Sequence, residues 1–317
     1  MQIPFVSGVL ALLLSAHGLR RKSLSPSGAF AALVVGFLMM AGGTSVFGVA
    51  LIGFYLVGSR ATKYGKNRKA KLEEGYQEGG YRSGWQVLCN SASALVAAIV
   101  WNAAMDPRSV QAAVTRTLLG LDMGGTVLGL RGPVVYGRSS GGWCPTERTV
   151  ADGWSRALVF AALGHFACCL GDTLASELGI LSPSPPRLIT TLKTVPPGTN
   201  GAMSVGGTVA SIAGGGIVGA LMGAALVLEN GQCGRGAVFE LVAWGMCGGG
   251  IGSLVDSFLG ATVQQTRYST KSKVVLQDAS KADGRVISGL NILTNNQVNL
   301  ASSVFCAVMA AWLAARV

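Results

Sequence analysis

The feature that most constrains this chain is a series of long apolar runs separated by polar connections. A helix needs about 20 mostly apolar residues to cross a bilayer, with a usual range of ~17–25. The runs cover residues 3–19, 28–41, 44–58, 87–105, 157–171, 202–228, 237–260 and 298–315. The stretch 28–58 is too long for one span and has Gly42 and Gly43 near its middle, so it predicts a tight pair of helices. The pattern predicts an all-α, polytopic transmembrane helical bundle of roughly eight spans.

The composition fits a chain whose main solvent is lipid. Half of its 317 residues are hydrophobic and 12% are charged, whereas roughly a quarter of the residues in a soluble domain are charged. The 46 glycines suit a membrane bundle, because small residues let helix backbones approach closely. The four-residue spacings Gly215–Gly219–Gly223 and Gly248–Gly252 therefore predict helix-packing faces. We expect one integral membrane domain over residues 1–317.

Basic residues gather in the connections, after the first and third runs and before the last. They are Arg20, Arg21, Lys22, Arg60, Lys63, Lys66, Arg68, Lys69, Lys71, Arg267, Lys271, Lys273, Lys281 and Arg285. The positive-inside rule makes this side cytoplasmic, together with the segment 172–200, and places both termini opposite. We expect polar loops at 60–86 and 261–297 and a long extramembrane connection at 102–156. The net charge of +11 then indicates contact with membrane lipids and no nucleic-acid partner.

The seven cysteines are scattered, mostly between apolar neighbours, and form no C-x-x-C pair. We therefore expect small buried hydrophobic residues and no disulfide framework. With His17 and His165 as the only histidines, too few ligands are present for a zinc site.

The segment 171–179 is the richest in potential chemistry. It follows an apolar run of only 15 residues (157–171), which predicts a broken helix that ends in a polar motif lining a cavity. Asp172 and Ser176 are four residues apart, as are Thr173 and Glu177, so a helix would project both pairs from adjacent faces. Acids at the membrane edge are costly unless they are paired or bind a cation, and hard oxygen ligands suit magnesium with phosphate. The alternative is a helix end in water, capped by Asp172.

The segment 185–201 carries cations on a proline-bounded loop. Arg187 and Lys193 precede a turn made of Gly198, Thr199, Asn200 and Gly201, which we expect to open an apolar helix. Free N–H groups at such a helix start bind phosphate, and glycines let the phosphate come close. A turn that merely joins two spans is the alternative.

Further polar groups lie in or beside the last two runs. Asp256 is embedded in the run 252–260, where an acid costs ~2.5–3.5 kcal/mol on insertion scales and so needs a partner. That partner could be Lys193, Arg187 or a metal ion shared with Asp172. Asn295, Asn296 and Asn299 precede the last span, and their amides can ligate a metal, bond a ligand or cap the helix.

Five ordered motifs resemble one family of integral membrane proteins. They are Gly171–Glu177, Pro186–Thr191, Pro197–Gly201, Asp256–Thr262 and Asn295–Leu300. Together they resemble the transmembrane protein nineteen family, which includes plant phytyl-phosphate kinase. The stretch Glu74–Gly80, with Gln86-Val87 and Cys89-Asn90, looks like the animal-type branch.

The resemblance implies a kinase that turns an isoprenyl monophosphate into a diphosphate. A looser likeness to membrane enzymes that use CTP covers Gly171-Asp172, Ala175-Ser176, Lys193-Thr194 with Gly198, and Asp256-Ser257. Pro196-Pro197 stands where those enzymes carry an acidic residue, so the nucleotide stays open between CTP and another triphosphate.

The first hypothesis is therefore a magnesium-dependent isoprenyl-phosphate kinase. Asp172, Glu177 and Asp256 would hold Mg²⁺, and Asp172, Lys193 and Asp256 would be catalytic. The expected ligand-binding residues are Ser176, Arg187, Gly198, Thr199, Asn200, Gly201, Asn296 and Asn299. The partners would be an isoprenyl phosphate lipid and the membrane lipids of the endoplasmic reticulum rather than the plastid envelope, with the oligomeric state open. The other hypotheses are a transporter or lipid carrier, which would use broken helices, and a membrane scaffold, which gives no reason for Asp256.

Overall fold

The computed structural model is a bundle of long apolar helices with small polar elements in its connections. It describes residues 4–69, 71–72, 80–130, 132, 134–137, 142–276 and 283–316. The apolar helices are α1 (Phe5–Arg20), α2 (Pro26–Met40), α3 (Val46–Lys63), α6 (Ala92–Met105), α8 (Trp154–Gly179), α9 (Val205–Glu229), α10 (Arg235–Thr262) and α11 (Asn295–Ala314). Short helices α4 (Lys66–Lys69), α5 (Gly84–Cys89) and α7 (Val110–Leu119) lie in the connections.

The predicted membrane bundle is confirmed, and each apolar run corresponds to one helix except the run 87–105, which a turn at Asn90 and Ser91 divides between α5 and α6. Within the described ranges, four helices are long and apolar enough to cross a membrane, namely α8, α9, α10 and α11. Helices α1, α2 and α6 are apolar but shorter. The run pair at 28–58 forms α2 and α3, as predicted. Ser25 caps α2 by accepting a hydrogen bond from the Gly28 N–H, with Pro26 at the first helical position.

The prediction of a helix break near Gly171 is wrong. Helix α8 runs without interruption through Gly171 to Gly179. A Cβ atom added at Gly171 would lie 2.8 Å from Gly249 Cα and 3.0 Å from the Ser211 carbonyl oxygen. The glycine is therefore the point where α8 crosses α9 and α10. The polar motif that follows occupies the last two turns of one continuous helix.

The glycine faces predicted on α9 and α10 are confirmed. A Cβ at Gly215 would lie 1.9 Å from the Gly245 carbonyl oxygen, and one at Gly219 would lie 2.1 Å from the Leu241 carbonyl oxygen. A Cβ at Gly252 would meet Cys168 of α8 at 2.7 Å. These positions let three helix backbones approach to a distance that no larger residue permits.

The connections gather at two ends of the bundle in the grouping that the charge pattern predicts. At the basic end, Arg68 donates to the Leu181 carbonyl oxygen, and Asn200 donates to that of Gln265. At the opposite end, the Gly43 N–H donates to the Asn102 side chain, and Tyr136 donates to Glu229.

A disulfide joins Cys144 to Cys233, which corrects the expectation that no disulfide would form. Cys144 lies in the long connection between α7 and α8, and Cys233 lies in the short turn between α9 and α10. These two cysteines are in extramembrane connections, where the folded chain brings segments 89 residues apart together. Cys89, Cys168, Cys169 and Cys306 are buried, as predicted, while Cys247 is exposed.

The connections contain more structure than the predicted polar loops. Strands β1 (Arg187–Leu188) and β2 (Ala202–Met203) pair antiparallel before α9. Strands β3 (Thr266–Ser269), β4 (Val274–Leu276) and β5 (Arg285–Ser288) form an antiparallel sheet in the order β4-β3-β5 between α10 and α11. Lys281 and the motif residues 74–79 lie outside the described residues. The remaining connection, 106–153, holds α7, a π-helical turn and a 3₁₀ turn.

Candidate functional site

A polar cavity of about 720 Å³ lies at the basic end of the bundle. The C-terminal half of α8, the start of α9, the C-terminal half of α10 and the start of α11 form its walls. The loop 182–204 and the segment around Arg82 complete the lining. Motifs separated by more than 120 residues of sequence therefore face one space. They meet because α8 is continuous through its polar motif and α10 packs against α11.

Two acids meet in the wall of this cavity. Asp172 on α8 and Asp256 on α10 have carboxyl groups within hydrogen-bonding reach of each other. Asp256 is buried, and Ser302 Oγ of α11 donates a hydrogen bond of 2.8 Å to its Oδ2 atom. The prediction that these two acids share a site thus has a geometric basis. Paired carboxylates need a proton or a cation between them.

The surroundings of the acid pair fit a hard divalent cation. Asn299 lies one helical turn before Ser302 on α11 and lines the same cavity. Its Oδ1 atom is buried and accepts no hydrogen bond within the described part of the chain, and the same holds for Asn90 Oδ1. Mg²⁺ binds through one or two carboxylates, neutral oxygens, water and substrate phosphates. Asp172, Asp256 and Asn299 would hold it, with Ser302 orienting Asp256.

Glu177, the third predicted metal ligand, has a different partner. Its carboxylate lies 2.6 Å from the ammonium group of Lys69, which is buried and also donates to the Ala61 and Thr62 carbonyl oxygens. No group of three His, Cys, Asp or Glu side chains comes together as a metal site in the described ranges. The structure therefore brings together two of the three predicted ligands. Glu177 instead fixes α4 against the end of α8, although it still lines the cavity.

The cations that face the cavity are not those that the sequence singled out. Arg187 and Lys193 are exposed and do not line it, and Arg187 donates to the Leu192 carbonyl oxygen instead. Arg82 and Arg68 line it. The reason is the β1–β2 pairing, which holds Arg187 beside the neighbouring loop.

Arg82 is held firmly in place by its backbone. Its N–H donates to the Ser23 carbonyl oxygen, and its own carbonyl oxygen accepts from the Ser25 N–H. Its side chain donates to Ser59 Oγ at 3.2 Å. Burial lowers the pKa of the Arg82 guanidinium, while Glu177 and Tyr55 act in the opposite direction. Among the described residues, the poorly hydrated guanidinium has one side-chain hydrogen bond, which leaves donors for a phosphate.

The Gly198–Gly201 turn lines the cavity but does not open the helix directly. Helix α9 begins at Val205, after β2, and Ser204 caps it. The Thr199 and Asn200 N–H groups are already bonded, to the Pro196 carbonyl oxygen and to Thr266 Oγ1. A Cβ at Gly201, whose φ is +74°, would lie 2.3 Å from the Ser257 carbonyl oxygen. The turn therefore packs closely on α10, and only part of it remains available to a ligand.

The remaining predicted site residues divide in the same way. Ser176 is exposed and lines the cavity. Asn299 and Asn295, one helical turn before it, also line the cavity, whereas Asn296 does not. The sequence prediction missed Arg82 and Ser302 as site residues. Spacing carried a signal for Ser302, since it is three residues after Asn299 and so shares its helix face. For Arg82, the signal was its place between glycines just before the pair Gln86 and Asn90, which also line the cavity.

The fold and this cavity define an integral membrane protein with a polar site at one end of a helical bundle. The chain belongs to the family described as integral membrane protein DUF92, whose profile matches residues 9–307. It is 33% identical over 301 residues to Protein PGR of Arabidopsis thaliana, covering 93% of this chain and 90% of that protein. It is also similar to an uncharacterized membrane protein of Methanocaldococcus jannaschii, with 37% identity over 113 residues, which are 36% of this chain and 43% of the other. No solved structure matches the chain.

Proposed function

We propose that this protein is a magnesium-dependent isoprenyl-phosphate kinase that takes its phosphoryl group from a nucleotide, CTP first among the candidates. The observation that carries the proposal is the contact between Asp172 and Asp256 inside a cavity that also holds Arg82. Acids and a cation facing one space are what phosphoryl transfer needs, because catalysis there is mostly positioning and charge stabilisation. The isoprenyl acceptor is proposed from the ordered motifs that resemble the transmembrane protein nineteen family, whose plant members look like isoprenyl-phosphate kinases; the animal-type branch adds nothing to this point.

The proposed reaction balances without a covalent enzyme intermediate. An oxygen of the isoprenyl monophosphate attacks the γ-phosphorus of the nucleotide, and the bond from that phosphorus to the β-phosphate oxygen breaks. The products are an isoprenyl diphosphate and a nucleoside diphosphate. When bound, Mg²⁺ neutralises charge on the phosphate oxygens.

The residues of the acid pair and its surroundings then have separate tasks. Asp172 and Asp256 hold the cation, and Ser302 keeps the Asp256 carboxylate in place. Arg82 binds phosphate oxygens. The exposed hydroxyl of Ser176 and the turn at Gly198 lie at the lining where the nucleotide would enter. Aligning two anionic substrates in this way removes much of the entropic barrier.

The transporter hypothesis loses one of the observations that favoured it. A helix break at Gly171 was expected and α8 is continuous there, whereas the run 87–105 is broken between α5 and α6. A scaffold would still leave the contact between two acids in adjacent spans without a purpose, at the cost that intramembrane acids carry.

A transfer assay tests the proposal. Purified protein in detergent would receive Mg²⁺, γ-labelled CTP or ATP, and phytyl, farnesyl or geranylgeranyl monophosphate. We expect a labelled diphosphate product that EDTA abolishes. The absence of product with every donor and acceptor, together with no nucleotide binding by calorimetry, would overturn the proposal.

A further inference from the structure

A second, apolar cavity opens beside the polar one. It is a narrow slot of about 80 Å³ between α1, α2 and α3. Its walls include Leu14 of α1, Ala32 and Val35 of α2, and Leu51 and Ile52 of α3. The slot shares three lining residues with the polar cavity, namely Arg82, Gln86 and Asn90. The two cavities therefore meet at the half-buried Arg82 side chain, a cation that lines both of them.

The slot runs from the basic end toward the middle of the bundle. Leu24 and Ser15 lie at the end near Arg82, while Ala11 and Gly36 lie deeper. Ala11 is nine residues before the end of α1 at Arg20, which corresponds to roughly 14 Å along a helix. A space with a cationic mouth at the membrane surface and apolar walls that descend into the bilayer matches an anionic lipid.

We propose that the slot binds the isoprene unit next to the phosphate of the lipid substrate, with the phosphate at Arg82. This inference rests on the proposed kinase function and names the place of its acceptor. The slot has about 80 Å³, whereas a cavity that holds a benzene molecule has ~150 Å³. It therefore has to widen to take the five carbons of one isoprene unit, and it has no room for more of the chain. The rest of the chain lies outside the slot, against the outer faces of α1 and α2, which expose Leu13 and Phe30.

The geometry has two consequences for the substrates. The polar cavity at Asp172 and Asp256 remains free for the nucleotide, which enters from water while the lipid enters from the side. Selectivity is also confined to the unit next to the phosphate. Chains that share this unit and differ only in length are equivalent substrates, because their differing parts lie in lipid.

Photolabelling tests the slot without requiring turnover. The protein in lipid nanodiscs would receive farnesyl monophosphate carrying a diazirine on its first isoprene unit, and the labelled residues would be mapped by mass spectrometry. We expect labels on slot residues of α1, α2 and α3, displaced by excess unlabelled farnesyl monophosphate and not by inorganic phosphate. Labels confined to other helices, or no displaceable label, would overturn the assignment of the slot.

Matched variants sharpen this test. Ala32→Leu fills the slot, whereas Ala31→Leu makes the same change at a neighbouring position that does not line it. We expect labelling to fall at least about tenfold in Ala32→Leu, an effect of the size that overpacking gives, and to be retained in Ala31→Leu. Ile52→Phe obstructs the slot from the opposite wall and should repeat the loss, which covers the case in which Ala32→Leu fails to fold. Equal labelling in all three variants would contradict the proposal.

The outcomes separate this inference from the proposed function. Slot labelling without phosphoryl transfer would support the lipid site and overturn the kinase. Phosphoryl transfer that Ala32→Leu and Ile52→Phe leave unchanged, with labels elsewhere, would overturn the slot and support the kinase.

Discussion

Asp256 depends on a neighbouring helix for its position. Ser302 Oγ donates to its carboxylate, and Ser302 itself is fully enclosed by the bundle. Partners of this kind tune a metal ligand, and their loss typically costs 10- to 100-fold in metal affinity. The affinity of Asp256 for a proton or a cation therefore depends on Ser302, a residue that does not line the cavity.

Replacing Ser302 with alanine tests this dependence. We expect Ser302→Ala to raise the Mg²⁺ concentration for half-maximal activity by roughly tenfold, with a smaller effect on the rate at saturating Mg²⁺. Ser303→Ala is the matched control, because Ser303 Oγ donates to the Leu300 carbonyl oxygen of its own helix. The same Mg²⁺ dependence in both variants would exclude the proposed role of Ser302.

The structure and the sequence point to different cations as the phosphate-binding residue. The structure favours Arg82, whereas the sequence favoured Lys193. If Arg82 binds phosphate, Arg82→Gln removes charge-assisted hydrogen bonds and lowers kcat/KM roughly tenfold to a hundredfold. We expect Lys193→Gln to have a clearly smaller effect, because Lys193 does not line the cavity. Lys271→Gln, on the turn between β3 and β4, controls for the general loss of positive charge. Steady-state kinetics of the three variants decides the question, and a larger loss in Lys193→Gln would restore the prediction made from sequence.

At the residue scale, two of the three acids were predictable, while Glu177 and the cations were not. An acid inside an apolar run is expensive, so Asp172 and Asp256 stand out from any neighbouring residue. A basic residue in a loop is common, and only the folded backbone shows which one points inward. The bridge between Arg82 and the α1–α2 turn pairs residues that are 58 apart in sequence, a contact that local patterns do not reveal.

At the scale of elements, glycine decides how closely the helices approach. Positions 215, 219 and 223 of α9 face α10, and each would place a Cβ atom within 3 Å of the α10 backbone. The four-residue spacing predicted this face because a helix returns to the same side about every 3.6 residues. The same residue type misled the interpretation of Gly171, since a glycine before a polar motif signals both a break and a close crossing. The folded structure distinguishes a break from a close crossing, because it shows α9 and α10 both packed against α8 at Gly171.

An alanine at the crossing should destabilise the bundle. Gly215→Ala brings a methyl group against the Gly245 carbonyl oxygen, and forced overpacking of this kind costs about 1–3 kcal/mol. Gly236→Ala lies on α10 with nothing within 4 Å, so it gains helix propensity without a clash. Thermal unfolding in detergent should show a lower Tm for Gly215→Ala and an unchanged or higher Tm for Gly236→Ala. Equal shifts in the same direction would contradict the packing account.

For the whole molecule, charge and redox chemistry favour the same orientation. The basic connections share one end of the bundle with the polar cavity, and the positive-inside rule predicts that this end faces the cytoplasm. The Cys144–Cys233 disulfide lies at the other end, in keeping with the preference of disulfides for oxidising compartments. The two arguments are independent, because the cysteines played no part in the charge rule. The disulfide itself could not be foreseen, since pairing depends on a fold that brings 144 and 233 together.

Acceptor sites for N-glycosylation test this orientation. A site inserted at Gly129, which has open space around it, should be glycosylated in endoplasmic reticulum membranes. A site inserted at Lys271 on the basic end should not. A gel shift on treatment with a glycosidase reports both, and modification at Lys271 alone would reverse the orientation and place the polar cavity on the lumenal side.

Phosphoryl transfer at the contact between Asp172 and Asp256, as proposed above, can be measured directly. Transfer of label from γ-labelled nucleotide to farnesyl monophosphate would be followed in the presence of Mg²⁺ for the unmodified protein, Asp172→Asn and Asp256→Asn. Folding would be checked by monodispersity in detergent. We expect a labelled diphosphate with the unmodified protein and loss of that product in both variants. Undiminished transfer in either folded variant, or no transfer by the unmodified protein with any donor, would contradict the proposal.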